Sequence, residues 1–369
     1  MNLYLATIKL IRVRRWTEKL NFDRRILARQ MRTWFPSMFW ILLFGYAVWP
    51  WMPWQARPPV TVTFYGFSIL EESMNGTVFP AFQDTWREAS GEHVEFISSF
   101  AGSGTVTNQL IMGVPAQLAL LSLELDAQRL ADKGLVSRES WESLPHGGIV
   151  NRTPMVILVR KGNPKNIRDF SDLARPGIRI VHPDPLTSGG AAWAILAEYG
   201  AGMRMHPDRP HQAGLETLKG IWRNVVAQAH SARAARMQFE NGFGDALITY
   251  EQELLWDRMH GRLDFEIVYP HSTILTEHVL VVVRRNIQPD QRNIVNAFVD
   301  FLWSDRAQTL FTRTGFRSVN DRINESNPVF GQIADPFTVA DLGGWEKAKR
   351  EIVDHVWKEQ VLKELGRGR

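Results

Sequence analysis

A chain of 369 residues, 44% hydrophobic and 22% charged, holds enough apolar material for two globular domains or one two-lobed body, which excludes a disordered or collagen-like protein. Cysteine is absent, so a disulfide framework, a thiolate nucleophile, a zinc-thiolate site and a lipidated cysteine are excluded as well. The net charge of +4 is unevenly placed: residues 1–56 carry nine Lys and Arg against Glu18 and Asp23, whereas residues 57–369 carry 34 basic and 37 acidic residues, a net charge of −3.

The chain opens with a basic arm, residues 1–32, followed by 24 uncharged residues between Arg32 and Arg57 that include the apolar run Met38–Trp49. A helix through most of residues 33–56 would cover about 30 Å of hydrocarbon. Trp34 and Trp40 at one end and Trp49, Trp51 and Trp54 at the other fit interfacial belts, and Pro50 and Pro53 end the helix near residue 49. The expectation is a single-pass inner-membrane anchor with the arm in the cytoplasm and residues 57–369 in the periplasm, because the excess of Lys and Arg precedes the span. A cleaved signal peptide is the competing reading, but the basic region is long and no A-x-A pattern follows the apolar run.

After Pro58-Pro59, strand and helix patterns alternate. Val60–Tyr65 reads as a strand, followed by a helical stretch ending near Gly91, and His93–Phe100 as a second strand running through Gly102-Ser103-Gly104 into a helix. Further strands are expected at Leu118–Leu121, Met155–Val159, Ile178–His182, Val225–Ala229, Ala246–Thr249, Phe265–Tyr269 and Val279–Val283. This alternation implies an α/β protein with parallel-rich sheets flanked by helices. So many strands suit two lobes better than one, with crossings at Pro154–Arg160 and Leu275–Arg284. Residues 57–155 and 275–369 would form lobe 1 and residues 156–274 lobe 2, with a cleft between them. The tail from Trp345 reads as a charged amphipathic helix on the first lobe.

Catalytic spacings are missing: there is no G-x-S-x-G, H-E-x-x-H, phosphate-loop or G-x-G-x-x-G sequence, and no histidines pair at metal-ligand spacing. Neither a cofactor nor a metal is expected, and the acidic body lacks the basic stripe that nucleic acid requires. Two Ser-Gly turns do stand at strand-to-helix junctions, Ala101–Thr105 and Thr187–Trp193. Free N–H groups at a helix start, a hydroxyl and glycines that permit close approach make an anion cradle without a cation. The same residues also serve as ordinary caps and turns.

Several motifs in one order resemble the sulfate-binding proteins of bacterial ABC importers, within the two-lobed type II periplasmic-binding-protein fold. They are Ser99–Gly104, Leu158–Lys165, Thr187–Trp193, His230–Arg233, Gly244–Glu251 and Gly343–Ala348. The resemblance implies a non-enzymatic protein that closes on an inorganic oxyanion and hands it to ABC permease and ATPase subunits. It places Ser103, Ser188, Gly189, Gly190 and the Ala232 N–H on the anion, with Arg233 behind the loop. Two departures look like the molybdate-binding branch. Tyr250 stands where the sulfate family has an indole donor, and Ser68 follows the first strand where that family has an aspartate.

A site made only of donors suits a fully deprotonated dianion, sulfate or thiosulfate first and molybdate or tungstate next. Hydrogen phosphate needs an acceptor, which Glu71, Glu72 or Glu251 would supply only by turning into the cleft rather than to solvent. The 32-residue arm raises a different reading, an anchored oxyanion sensor or scaffold that reports cleft occupancy across the membrane.

Overall fold

The structure is a computed structural model that describes residues 34–49, 58–325 and 327–366. The chain divides between Pro58 and Pro59 into two units. In the first, residues 34–48 form a helix whose apolar side chains, among them Trp34, Phe35, Trp40, Ile41, Phe44 and Tyr46, are exposed. Fifteen helical residues span about 22 Å, short of the roughly 30 Å of a bilayer core. Among the described residues no helix is long and apolar enough to cross a membrane. The span expected over 33–56 is corrected to this extent. The basic arm and both ends of the expected span lie outside the described residues.

The second unit begins with β1 (Val60–Phe67) and β2 (Val94–Ala101), separated by a helix, Phe79–Ser90, that ends at Gly91 with φ 72°. Then follow β3 (Leu118–Leu121), β4 (Ile149–Val159), β5 (Ile180–Pro183), β6 (Val225–Ala229), β7 (Ala246–Tyr250), β8 (Glu266–Val268), β9 (Ser272–Val282), β10 (Arg317–Ser318) and β11 (Asp335–Phe337). They join in one mixed sheet whose main path runs β2-β1-β3-β9-β4-β7-β5-β6. The pairs β1–β2, β1–β3, β5–β6 and β5–β7 are parallel, whereas β3–β9, β4–β9 and β4–β7 are antiparallel. The apolar runs of β3 and β7 are buried at every position, as a strand covered on both faces must be.

Two long strands connect the halves. The first part of β4, Ile149–Pro154, pairs with β9, and its second part, Met155–Val159, pairs with β7. β9 in turn pairs with β3 through Val279–Val282. The strand expected at Val279–Val283 therefore starts earlier, at Ser272, because Thr273 and Thr276 are buried by donating their hydroxyls to the carbonyls of Met155 and Thr153.

One expectation about packing is corrected. The C-terminal helix, Trp345–Lys347 continuing as Ala348–Leu362, lies on the helices Gly189–Met205 and Pro210–Arg223, within the stretch read as the second lobe. Trp345 meets Trp193 at 4.5 Å between ring centroids, and Trp357 meets Trp222 at 5.0 Å. Lys219 and Arg223 both pair with Glu364. The charge pattern of the tail marked its solvent face, but two tryptophans decided which surface it covers.

Candidate functional site

The two Ser-Gly turns do open helices. Ser103 is the first residue of the helix Ser103–Ile111, just after β2, and Ser188 stands immediately before the helix Gly189–Met205, after β5. Neither helix start is closed by a side-chain hydrogen bond, so first-turn N–H groups remain for another acceptor. A third helix, Ala232–Glu240, is capped by Ser231, whose Oγ accepts from Ala234 N at 3.1 Å and leaves the N–H of Ala232 ahead of it. Ser68 lies in the turn after β1, and that turn rests against the helix Ala232–Glu240. Tyr250 is the last residue of β7. Ser68, Ser103, Ser188, Gly189, Gly190, Ala232 and Tyr250 are all buried.

Close approaches bring the two halves together. A Cβ on Gly102 would lie 2.6 Å from the carbonyl oxygen of Thr187 and 2.8 Å from that of His230. One on Gly189 would lie 2.7 Å from Ser122 Oγ, and one on Gly190 3.2 Å from the Tyr250 hydroxyl. At Gly102 only glycine lets the two backbones meet, and at Gly189 and Gly190 it leaves room for the side chains of Ser122 and Tyr250. The Thr187 hydroxyl donates to His230 O at 2.9 Å and ties the second and third loops to each other.

Ser122, just past β3, was not singled out in the sequence, yet it joins the parts. Its Oγ is 2.8 Å from the Tyr250 hydroxyl, and its carbonyl accepts from the indole of Trp193 at 2.8 Å. Its N–H donates to Ser103 Oγ at 3.0 Å, and Ser103 Oγ donates to Asp126 Oδ2 at 2.6 Å. Asp126 was also missed, since a carboxylate on a short amphipathic helix reads as a surface residue. Here it is buried, and burial pushes its carboxyl above the ordinary value, against hydrogen bonds from Ser103 and the charge of Arg129. Burial likewise pushes the Tyr250 phenol up, so it stays protonated.

The charged side chains nearby are engaged with one another. Arg233 pairs with Glu71 at 3.3 Å and with Glu72, both from the turn after β1. Glu251 is fully buried and accepts from Arg317 Nε and Nη2, both at 2.8 Å. Of the three glutamates considered as acceptors, Glu71 and Glu72 are engaged by Arg233, and Glu251 is buried against Arg317 instead of facing solvent. Beneath Tyr250, the buried ring of His278 lies between Asn151 and Thr276, and burial alone lowers its pKa to about 3. Among the described residues no group of three or more His, Cys, Asp or Glu side chains is placed to hold a metal ion.

Residues 75–317 match the family model described as bacterial extracellular solute-binding protein. A sulfate-binding protein of Synechococcus elongatus is 33% identical over 307 residues, 82% of this chain and 87% of that protein. A thiosulfate-binding protein of Pseudomonas aeruginosa is 31% identical over 273 residues, 73% of this chain and 80% of that one. The fold superposes on the sulfate-binding protein SubI from Mycobacterium tuberculosis H37Rv with a TM-score of 0.72 at 32% identity, covering 79% of this chain and 99% of the other. Proteins of this kind bind solutes in a two-lobed α/β body and are not enzymes. With a family model over most of its length, and relatives of this identity and coverage, the chain belongs to the bacterial extracellular solute-binding proteins, in the group of the sulfate-binding proteins.

Proposed function

We propose that the protein captures a tetrahedral oxyanion dianion, sulfate or thiosulfate, between its two lobes and delivers it for ABC-type import. The observation that carries this reading is the convergence of uncharged donors from both halves. Ser103 and Ser122 come from one side, and Ser188, the N–H groups of Gly189, Gly190 and Ala232, and Tyr250 from the other, while Arg233 is kept away by two glutamates. An anion held by oriented amides and hydroxyls needs no counter-charge in contact, because three helix starts and short hydrogen bonds supply the compensating field. The names of relatives that bind sulfate and thiosulfate support the same ligand class.

Tyr250 in the last donor position, with Ser68 after β1, favours molybdate or tungstate as the second reading, since these residues suit that branch of the fold. Calorimetric titration of the purified chain with sulfate, thiosulfate, molybdate, tungstate and phosphate separates these readings. Tight binding of sulfate or thiosulfate is expected; tight binding of molybdate alone selects the second reading, and preference for phosphate overturns both.

The anchor is part of the proposal. Nine basic residues, 24 uncharged ones and an exposed apolar helix at 34–48 support membrane seating of the N-terminal unit, with the binding body in the periplasm. Alkaline carbonate extraction of cell membranes tests it: the chain should stay in the pellet, and release to the supernatant would show a body that is not embedded.

A further inference from the structure

The helix Gly189–Met205 starts at the second Ser-Gly turn, so any shift along its axis moves the N–H groups of Gly189 and Gly190. Its packing surface offers little resistance to such a shift. Eight of its 17 residues are buried glycines or alanines. It also meets the helix Pro210–Arg223 so closely that a Cβ on Gly202 would lie 2.9 Å from Ala213 O. A seam of small residues permits close approach and supplies few knobs to fix register.

One charged side chain of this helix is buried. Glu198, nine residues and about 14 Å beyond Gly189, places Oε1 3.1 Å from His182 Nε2 on β5 and Oε2 3.1 Å from the indole Nε1 of Trp222. All three side chains are fully buried. The other ring nitrogen, His182 Nδ1, lies 2.7 Å from Pro183 O, which only accepts, so Nδ1 carries a hydrogen. Nε2 and Oε1 then share one proton, and the pair is neutral overall wherever that proton sits. What it controls is position, not charge.

We propose that Glu198, through His182 and Trp222, is the register lock of the anion loop, a positioning residue that decides which oxyanion the Ser188–Gly190 backbone fits. The inference rests on the oxyanion reading of the cleft and deepens it, because it assigns discrimination between anions to a group outside the site. The Glu198–His182 bond holds the loop at both ends. At the entry, His182 orients the Pro183 carbonyl, and Asp184 donates its N–H to Ala229 O at 2.7 Å and accepts from Ser188 N at 2.8 Å. At the exit, Glu198 holds the helix that the loop opens. Other polar side chains of that helix bond elsewhere: Trp193 to Ser122 O across the cleft, Tyr199 to the exposed His211, and Arg204 to Asp335. Sulfate and molybdate differ by roughly a few tenths of an ångström per bond, so a slip of that size changes the preference. Fixing register is the best-attested use of a buried polar pair.

The test is calorimetry of the full chain with sodium sulfate, thiosulfate and molybdate, paired with thermal melts. Glu198→Gln keeps the lock, since its amide donates to Nε2 of a neutral His182 and accepts from Trp222; its affinities should stay within about twofold of wild type. Glu198→Met combined with His182→Leu replaces the bridge by apolar side chains of similar size. The tightest-bound anion should then lose about tenfold or more in affinity, and its lead over the weaker ones should narrow by about threefold or more. Should that variant not fold, Trp222→Phe, which frees Oε2 alone, should narrow the lead by about twofold. A double variant with a lower melting temperature but unchanged affinities shows a purely structural pair and overturns the inference. Glu198→Gln losing as much as the double variant overturns it too, as does an unmoved preference in Trp222→Phe; each of these leaves anion binding by wild type intact. No binding of any of the three anions by wild type would sink the oxyanion reading itself, and this inference with it.

Discussion

Ser122 and Tyr250, 128 residues apart in the chain, share a 2.8 Å hydrogen bond between hydroxyls that leave the ends of β3 and β7, one from each half of the body. Each hydroxyl has a single hydrogen, so one of the pair always has its hydrogen free for a third group. The bond thus couples contact between the halves to donation into the cleft.

Removing that bond should weaken anion binding without unfolding the protein. Tyr250→Phe is expected to lower sulfate affinity by about 1–2 kcal/mol, and Ser122→Ala by a similar amount. Because the two hydroxyls share a partner, the double variant should lose less than the sum of the single losses. Calorimetric titration of the four proteins closes the cycle; strict additivity would show that the pair does not act as a unit.

Gly102→Ala tests the close approach of the loops. Its backbone at φ −58° tolerates alanine, but the added methyl would lie 2.6 Å from Thr187 O and 2.8 Å from His230 O, both main-chain atoms that cannot swing aside. The separated halves should be undisturbed and their meeting prevented. A loss of at least tenfold in sulfate affinity is expected, together with a radius of gyration that no longer shrinks when sulfate is added in small-angle scattering.

Ser188 and Ser231 occupy equivalent positions ahead of helices and should respond differently. Ser231 caps its helix through Ala234 N, so Ser231→Ala should cost about 1 kcal/mol of stability. Ser188 makes no such cap, and Ser188→Ala should leave the melting temperature near wild type while weakening sulfate binding by about 1–2 kcal/mol. Thermal melts paired with titrations separate the two; a destabilised Ser188→Ala that still binds normally would remove Ser188 from the site.

His278 should make stability fall on the acid side. Burial lowers its pKa from 6.5 to about 3, so between those values the unfolded chain binds a proton that the native ring refuses. Its contribution is complete above pH 6.5 and declines by up to about 1.4 kcal/mol per pH unit below it. Urea titrations at pH 4 to 7 should show a steeper fall for wild type than for His278→Gln; parallel curves would mean the ring is protonated in the native protein.

Much of the proposed site is legible in the sequence because main-chain groups make up most of it. The turns at Gly102–Gly104 and Ser188–Gly190 combine residue types that serve a strand-to-helix junction, and each follows a strand, β2 or β5, so order and spacing were enough to place the turns. Ser122 and Asp126 were not legible. A serine after a buried strand and an aspartate on a nine-residue helix are common, and only packing makes one a bridge and the other a buried partner of Ser103. The seat of the C-terminal helix escaped for the same reason, since the hollow that takes Trp357 exists only once Trp222 and its neighbours have packed. Arg233 was placed behind its loop, but Glu71 and Glu72 as its partners come from the far side of the cleft, 161 or more residues away in sequence.

The interleaving of β4 and β9 bears on the order in which the molecule can be made. β9 is inserted between β3 and β4, so the sheet begun by Val60 stays divided until Val282 has been synthesised, more than two hundred residues later. No N-terminal fragment that stops short of this strand can close its sheet, and the pairing that completes it is among the most distant in the chain. Assembly should therefore be late and slow compared with a protein built from local hairpins. A nascent chain interrupted between Val159 and Ser272 would present the unpaired edges of β3 and β4 to its surroundings.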